Sequence, residues 1–281
     1  MSRRLFERRE FLRVAGLGSI GTLCAACSML EDMDRGMYDA HKAITQEDLI
    51  TGQRAIGFHS RSEQIARGNA AMRDITGQYS RLNEQVGREE YSRLRRVFSR
   101  VHAVSHFADE RWQAVLLPED SFNAFVTGGT YIAVHKGLMD EVSDDAAVAA
   151  VIGHEIGHVA ANHIFERQQL ISALVEYAVT KTHEPGSGFA YSALNETEAD
   201  EIGVVYAALA GYSPYAVAGL WGEISRKYGN DWSWFRTHPS SYDRARTTWK
   251  MAEIAERHYW PGRKNPNHRK LVNCNEFWCN E

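Results

Sequence analysis

His154, Glu155 and His158 stand in this 281-residue chain as His-Glu-Ile-Gly-His, two imidazoles four residues apart with a carboxylate after the first. On a helix His154 and His158 share one face, and Glu155 projects about 100° round from His154. Two imidazoles so placed can hold one catalytic zinc, and the neighbouring carboxylate can reach a water bound to it. Zinc lowers the pKa of its water to about 7, and Glu155 can take the proton as the hydroxide attacks a carbonyl.

A catalytic zinc takes three protein ligands and keeps one position open. The best source of a third is Asn195-Glu196-Thr197-Glu198-Ala199-Asp200. Glu196 and Asp200 are four apart, on one face of a predicted helix that runs to Ala210 and stops at Gly211, with Pro214 beyond. One carboxylate can bind the metal while the other orients a ligand histidine through its second nitrogen. The plainer reading is a solvated acidic helix start with Asn195 and Glu198 as a capping box; Glu198 and Glu201 are expected to be only that. Further on, His238 precedes Pro239 at the expected start of a helix continuing to about Ile254. The positive end of a helix favours a neutral ring, able to bind metal or to donate to an oxyanion. Arg244 can hold a nearby carboxylate or a substrate carbonyl, or lie on the surface.

These groups need a frame. Ser143-Asp144-Asp145 offers an N-cap and early negative charge, and residues 146–169 contain no proline, so the spacing predicts one long helix. Val148, Ile152, Ile156 and Val159 fall on one side of it, and the histidines with Glu155 on the other. Gly153 and Gly157 each cost about 1 kcal/mol relative to Ala inside a helix. With Ala150 and Ala160 they form a small-residue stripe, as expected where another element approaches closely. Residues 122–126 and 130–134 are β-rich runs joined through Gly128-Gly129, which predicts an antiparallel hairpin. Two long helices are expected within 46–106, where Arg93, Arg95, Arg96 and Arg100 read as a solvated face. Residues 182–193, containing Pro185-Gly186-Ser187-Gly188, read as a flexible connection able to act as a lid. Trp221, Trp232, Trp234 and Phe235 read as aromatic core.

Taken together the motifs resemble the zinc metallopeptidase family of the CAAX prenyl proteases, HtpX and mitochondrial Oma, and within it the bacterial periplasmic LoiP- and BepA-type proteases. The resemblance rests on His154, Glu155, His158 and the downstream Glu196-x-x-x-Asp200. It extends to the stretch from Asn123 to Leu138 before the catalytic helix and to Thr237-His-Pro-Ser-Ser-Tyr-Asp-Arg244, about residues 60 to 257 in all. It implies an α+β, mainly helical fold, a gluzincin-type zincin domain with a small antiparallel β-sheet. It implies one Zn2+ held by His154, His158 and Glu196, with Glu155 as the base and Asp200 orienting a ligand. It also implies that His238 caps the zinc's open position in a resting state and leaves when substrate enters. In such peptidases an edge strand beside the metal takes an extended peptide by main-chain pairing, which falls here on Asn123, Ala124 and Phe125. The implied substrates are unfolded or misassembled envelope proteins, cleaved internally. A different class of function on the same fold is a chaperone-like or scaffolding lipoprotein with little proteolysis, against which the complete metal and base positions argue.

The start of the chain points to export. Arg3, Arg4, Arg8, Arg9 and Arg13 precede or enter an uncharged run over 14–30, a basic segment followed by an apolar one too short for a comfortable membrane span. Arg8-Arg9-Glu10-Phe11-Leu12-Arg13 resembles the twin-arginine export signal, with Glu7 where serine or threonine is usual; general secretion is the alternative. Cys24-Ala25-Ala26-Cys27 resembles a lipobox, which makes Cys27 the lipidated first residue of a mature chain, or else the site of cleavage without lipidation. Ser28 carries no aspartate retention signal, which favours the outer membrane. Cys274 and Cys279 can close a short disulfide loop in an oxidising periplasm, or remain thiols.

The expected organisation is a signal peptide over 1–27, a tether over 28–47, a zinc metallopeptidase domain over 48–260 and an irregular tail over 261–281. The net charge is −4; removing residues 1–27, with five arginines and two glutamates, leaves 27 basic and 34 acidic residues, a net −7. Such a chain is no binder of nucleic acid. Its membrane contact is expected through the N-terminal lipid instead. At 44% hydrophobic, it has ample material for one core.

Overall fold

A computed structural model describes residues 45–47, 54–56, 60–164, 193–228 and 242–273. The order is β1 (Thr45–Glu47), β2 (Arg54–Ile56), α1 (Arg61–Thr76), α2 (Arg88–His102), β3 (Gln113–Leu117), β4 (Ala124–Val126) and β5 (Tyr131–His135). Then come α3 (Lys136–Glu141), α4 (Asp145–Ala160), α5 (Ala193–Leu209), α6 (Pro214–Tyr228), α7 (Tyr242–Glu256) and α8 (His268–Asn273). The chain is mainly helical, as expected. None of the described helices is long and apolar enough to cross a membrane.

The central element is α4. Asp144 caps it, its carboxylate accepting from the Ala146 N–H at 2.9 Å. Every residue from Ala146 to Ala160 is buried, so α4 is apolar on nearly all sides and must be surrounded. Its closest neighbour is α5, and the small-residue stripe explains how close. A Cβ on Gly153 would lie 2.9 Å from the Cα and carbonyl oxygen of Gly203, and one on Gly203 would lie 2.9 Å from the His154 nitrogen. The helices therefore touch backbone to backbone, which brings the second half of α4 level with the start of α5. Gly153→Ala would gain about 1 kcal/mol of helix propensity, but the atoms it meets are backbone and cannot swing aside. The expected result is a net loss of stability of about 1–2 kcal/mol, read as a lower urea midpoint. Zinc binding should weaken with it, because α5 carries Glu196.

The hairpin forms as the sequence predicts. Ala124 pairs with Val134, Phe125 with Ala133 and Val126 with Ile132, all antiparallel. The sheet as a whole is mixed rather than antiparallel, because β3 pairs parallel with the other side of β5 in the order β3-β5-β4. β4 is thus left on the edge facing α4. The left-handed Gly128 serves the turn, and α1 locks it: Arg61 donates to the carbonyls of Gly128 and Gly129 at 2.7 and 3.2 Å, and Asn69 accepts from the Thr130 N–H at 2.8 Å. α1 begins at Arg61 behind a Ser60–Glu63 capping box, so the first long helix starts well after residue 46, and the short strands β1 and β2 pair before it.

Three other expectations change. Arg95 and Arg96 are exposed, as expected, but Arg93 and Arg100 are half-buried rather than part of a solvated face. Arg93 and Arg96 grip Asp145 at 2.8 and 2.9 Å, and Arg93 also donates to the Val142 carbonyl. Arg100 donates to the Ala210 carbonyl at 2.7 Å and lies over the Tyr212 ring. They tie α2 to the N-terminus of α4 and the C-terminus of α5, where carbonyls lack helical partners. Nor is the tail irregular throughout, since α8 forms over His268–Asn273 and the turns before it are held against the core. The Gly262 N–H donates to the Gly211 carbonyl at 2.9 Å and the Asn265 N–H to Leu209 at 2.8 Å, while Leu271 and Val272 enter the core. Unmet carbonyls at the end of α5 and two apolar side chains hold this segment down. The predicted long helix over 146–169 ends at Ala160, followed by Asn162 at a left-handed φ of 61°. Residues 182–192, Trp232, Trp234, Phe235, His238, Cys27, Cys274 and Cys279 lie outside the described residues, and so does the side chain of Trp221.

Candidate metal centre

His154 and His158, one turn apart on α4, present their Nε2 atoms 3.0 Å from each other. From the facing turn of α5, Glu196 brings Oε2 to 3.6 Å from His154 Nε2 and Oε1 to 3.4 Å from His158 Nε2. All three side chains are fully buried. Ligands bound tetrahedrally at zinc distances lie about 3.3 Å from one another, so two imidazole nitrogens and a carboxylate oxygen are gathered at the right spacing. Among the described residues this is the one group of three such donors close enough to hold an ion. The donor set, borderline nitrogen with oxygen, suits zinc.

Asp200, one turn beyond Glu196, orients His154: its Oδ1 lies 2.8 Å from His154 Nδ1. That contact fixes the Nδ1–H tautomer and leaves Nε2 its lone pair for the metal. Arg244 of α7 completes the arrangement. Its Nε donates to Asp200 Oδ2 at 2.7 Å and its Nη2 to Oδ1 at 3.0 Å, while Nη1 lies 3.0 Å from Glu196 Oε2. At 3% exposure it is no surface arginine, and it is committed to carboxylates rather than to an oxyanion. Burial alone would raise the Asp200 carboxyl, but the Arg244 cation and the His154 contact outweigh it and hold it below the usual carboxylate range.

Glu155 is also buried. Burial pushes its carboxyl up to about 8, with His154 and a hydrogen bond from the Val126 N–H pulling the other way. That hydrogen bond follows from the sheet register. The His135 N–H donates to the Asn123 carbonyl at 2.9 Å, so Asn123 and, two residues on, Phe125 turn their main-chain groups toward β5, whereas Ala124 and Val126 turn theirs outward. The outward N–H of Val126 reaches the Glu155 carboxylate. Of the three residues expected to pair with a peptide, only Ala124 presents main-chain groups on the open side of β4.

Two contacts and one burial escaped the sequence reading. His163 lies 3.0 Å from His158, Nδ1 to Nδ1, and its Nε2 is 3.3 Å from Glu198 Oε2. Glu198 is therefore not a solvated capping residue, and α5 starting at Ala193 puts Asn195 inside the helix. Glu201 is not solvated either, at 8% exposure. Burial first, then the charges of Glu198 and Asp200, push its carboxyl up to about 8. A carboxyl that titrates higher folded than unfolded leaves stability intact below about pH 4.5 and loses it as pH rises toward 8. Glu201→Gln is expected to add on the order of 3 kcal/mol at pH 8 and little at pH 4.5, measured as urea midpoints at the two pH values. Equal midpoints for the two proteins at pH 8 would remove this account of Glu201.

A long buried helix with two histidines and a carboxylate, faced by a helix that brings a second carboxylate within reach of one shared metal ion and by an edge strand, is the arrangement of a metallopeptidase domain of the zincin kind. The sequence profile of Peptidase family M48 matches residues 88–186 and 184–252, more than half of the chain. This chain belongs to that family. It is 30% identical over 198 residues to the mitochondrial metalloendopeptidase OMA1 of Arabidopsis thaliana, covering 66% of this chain and 40% of that protein. It is 24% identical over 213 residues to the putative beta-barrel assembly-enhancing protease of Vibrio cholerae serotype O1, covering 66% and 43%. Over 141 residues it is 30% identical to the metalloprotease LoiP of Escherichia coli, covering 44% and 56%. The matched part thus spans about half or less of the length of most of these relatives.

Proposed function

We propose that the protein is a zinc-dependent endopeptidase of the bacterial cell envelope that hydrolyses peptide bonds in misfolded or misassembled envelope proteins. The observation that carries the peptidase reading is the meeting of His154, His158 and Glu196 with Glu155 on the same helix, beside the outward edge of β4. When bound, the zinc supplies a Lewis acid that acidifies a water and polarises the scissile carbonyl. Asp200 keeps His154 in the binding tautomer, and Arg244 neutralises the carboxylates around it. Glu155 holds its carboxylate against the Val126 N–H, takes the proton from the attacking water and returns it to the leaving amine. An extended substrate segment pairs with the outward groups of Ala124, which read backbone rather than side chains and so favour unfolded chains.

The compartment rests on the basic-then-apolar N-terminus and the Cys27 lipobox. The class of substrate rests on the relatives named for β-barrel assembly. His238, brought by the family resemblance, is the proposed cap on the open position. The deciding experiment is casein digestion by the mature chain with and without a chelator, with zinc added back. Cleavage that falls to background with chelator and returns with zinc is expected. Absent or chelator-insensitive cleavage would overturn the peptidase reading and favour a chaperone-like lipoprotein. Envelope proteomics of wild type against Glu155→Gln then identifies substrates, expected to be trapped by the inactive variant.

A further inference from the structure

We infer that His163 is a positioning residue for the metal ligand His158, the middle member of a Glu198–His163–His158 relay that answers Asp200–His154 on the other side of the centre. This rests on reading His154, His158 and Glu196 as a metal centre.

A metal-binding imidazole needs a partner on its second nitrogen, or its tautomer and ring angle are free to vary. His154 has a carboxylate there. His158 has His163 instead, with the two Nδ1 atoms 3.0 Å apart, ring centroids at 5.2 Å and planes at 68°. The far nitrogen of His163 meets Glu198 Oε2 at 3.3 Å. A carboxylate only accepts, so a neutral His163 carries its hydrogen on Nε2 and offers the Nδ1 lone pair. His158 must then donate from its own Nδ1, which leaves its Nε2 lone pair turned toward His154 and Glu196. With a neutral His163 this proton arrangement satisfies both contacts, and it is the arrangement metal binding requires.

The backbone is shaped to bring this about. Had α4 continued, residue 163 would point about 140° round the helix from His158. Instead the helix stops at Ala160 and Asn162 takes a φ of 61°, a conformation that asparagine tolerates better than most residues. Buried Gln64 of α1 donates to Asn162 Oδ1 at 3.2 Å. That bond pins the corner from outside α4 and turns His163 back onto His158. Glu198 lies on α5 between Glu196 and Asp200, so a single helix supplies the third ligand, the partner of His154 and the anchor of the residue that orients His158.

Side chains that differ in reach can test the relay. The amide oxygen of asparagine falls near the ring Nδ1 and keeps the acceptor for His158, whereas glutamine reaches the Nε2 position, toward Glu198, and leucine supplies neither. The zinc dissociation constant of the mature chain, measured by competition with a chromophoric chelator, is expected to rise 10–100-fold in His163→Leu and His163→Gln and to recover most of that loss in His163→Asn. Melting temperatures of the zinc-free proteins are measured in parallel. A merely structural His163 would lower melting in all three variants and leave zinc affinity unranked. Wild-type affinity in His163→Leu, or no advantage of Asn over Gln, would overturn the relay while the metal centre stands. If His163→Leu fails to fold, the Asn and Gln pair still decides. A wild-type chain that binds no zinc would overturn the metal centre and the relay together.

Discussion

Glu155→Gln is expected to lower peptide hydrolysis by about 10²–10⁴-fold while leaving one zinc bound per chain. The amide matches the carboxylate in shape, so packing around a side chain that is 1% exposed is kept, and its oxygen still accepts from the Val126 N–H. What is lost is the capacity to take a proton. The proposed metal ligands His154, His158 and Glu196 are untouched, so zinc content should hold. Fold stability should hold or rise, because burial opposes an ionised Glu155 but not a neutral amide. The measurement is kcat/KM on a fluorogenic peptide beside metal analysis of the same sample. More than a tenth of wild-type activity in the zinc-loaded variant would mean that the proton goes elsewhere.

Arg244→Met is expected to cost about 3–5 kcal/mol of stability in the zinc-free protein, because it leaves Asp200 and Glu196 buried without their counter-charge. Methionine fills much of the arginine stem's volume, so most of the loss is electrostatic. The loss should depend on pH. Asp200 titrates below its ordinary range when folded, a contribution present above about pH 4 and lost as pH falls through the folded value. The variant gives up that contribution, so it should differ most from wild type near neutrality and least in acid. Arg244→Lys should rescue little, since one ammonium cannot span Asp200 Oδ1, Oδ2 and Glu196 Oε2 as the guanidinium does. Urea midpoints at pH 7 and at a pH well below 4 check both statements. A cost below 1 kcal/mol at neutral pH would show that solvent, not Arg244, compensates these carboxylates.

The centre was legible because its chemistry is written in spacings of four on two helices, and a helix converts such a spacing into a shared face whatever surrounds it. The glycine stripe on α4 was legible for the same reason, although its partner, Gly203, was not. What escaped depends on chain reversal. His163 comes five residues after His158, a spacing that carries no meaning on a straight helix and acquires it only through the left-handed Asn162. Arg93 and Arg100 looked solvated because a charged face on a helix usually is, as it is at Arg95 and Arg96, and nothing local marks the carbonyls of Val142 and Ala210 as their partners. The parallel pairing of β3 with β5 joins segments separated by the whole of β4, and the run Gln113–Leu117 carries no turn signal to announce it. Glu198 and Glu201 sit among acidic neighbours, and composition could not tell a solvated helix start from one folded against α4.

Arg244 comes 44 residues after Asp200 in the chain, and this separation has a consequence for timing. During synthesis at about 5–20 residues per second, the two histidines, the base and the third ligand all leave the ribosome seconds before the cation that neutralises their surroundings. Until α7 is made, α5 cannot settle against α4 without burying Asp200 and Glu196 uncompensated, so the cutting machinery stays in pieces while the rest of the chain emerges. A chain made in this order is expected to assemble its centre only after α7 has been made.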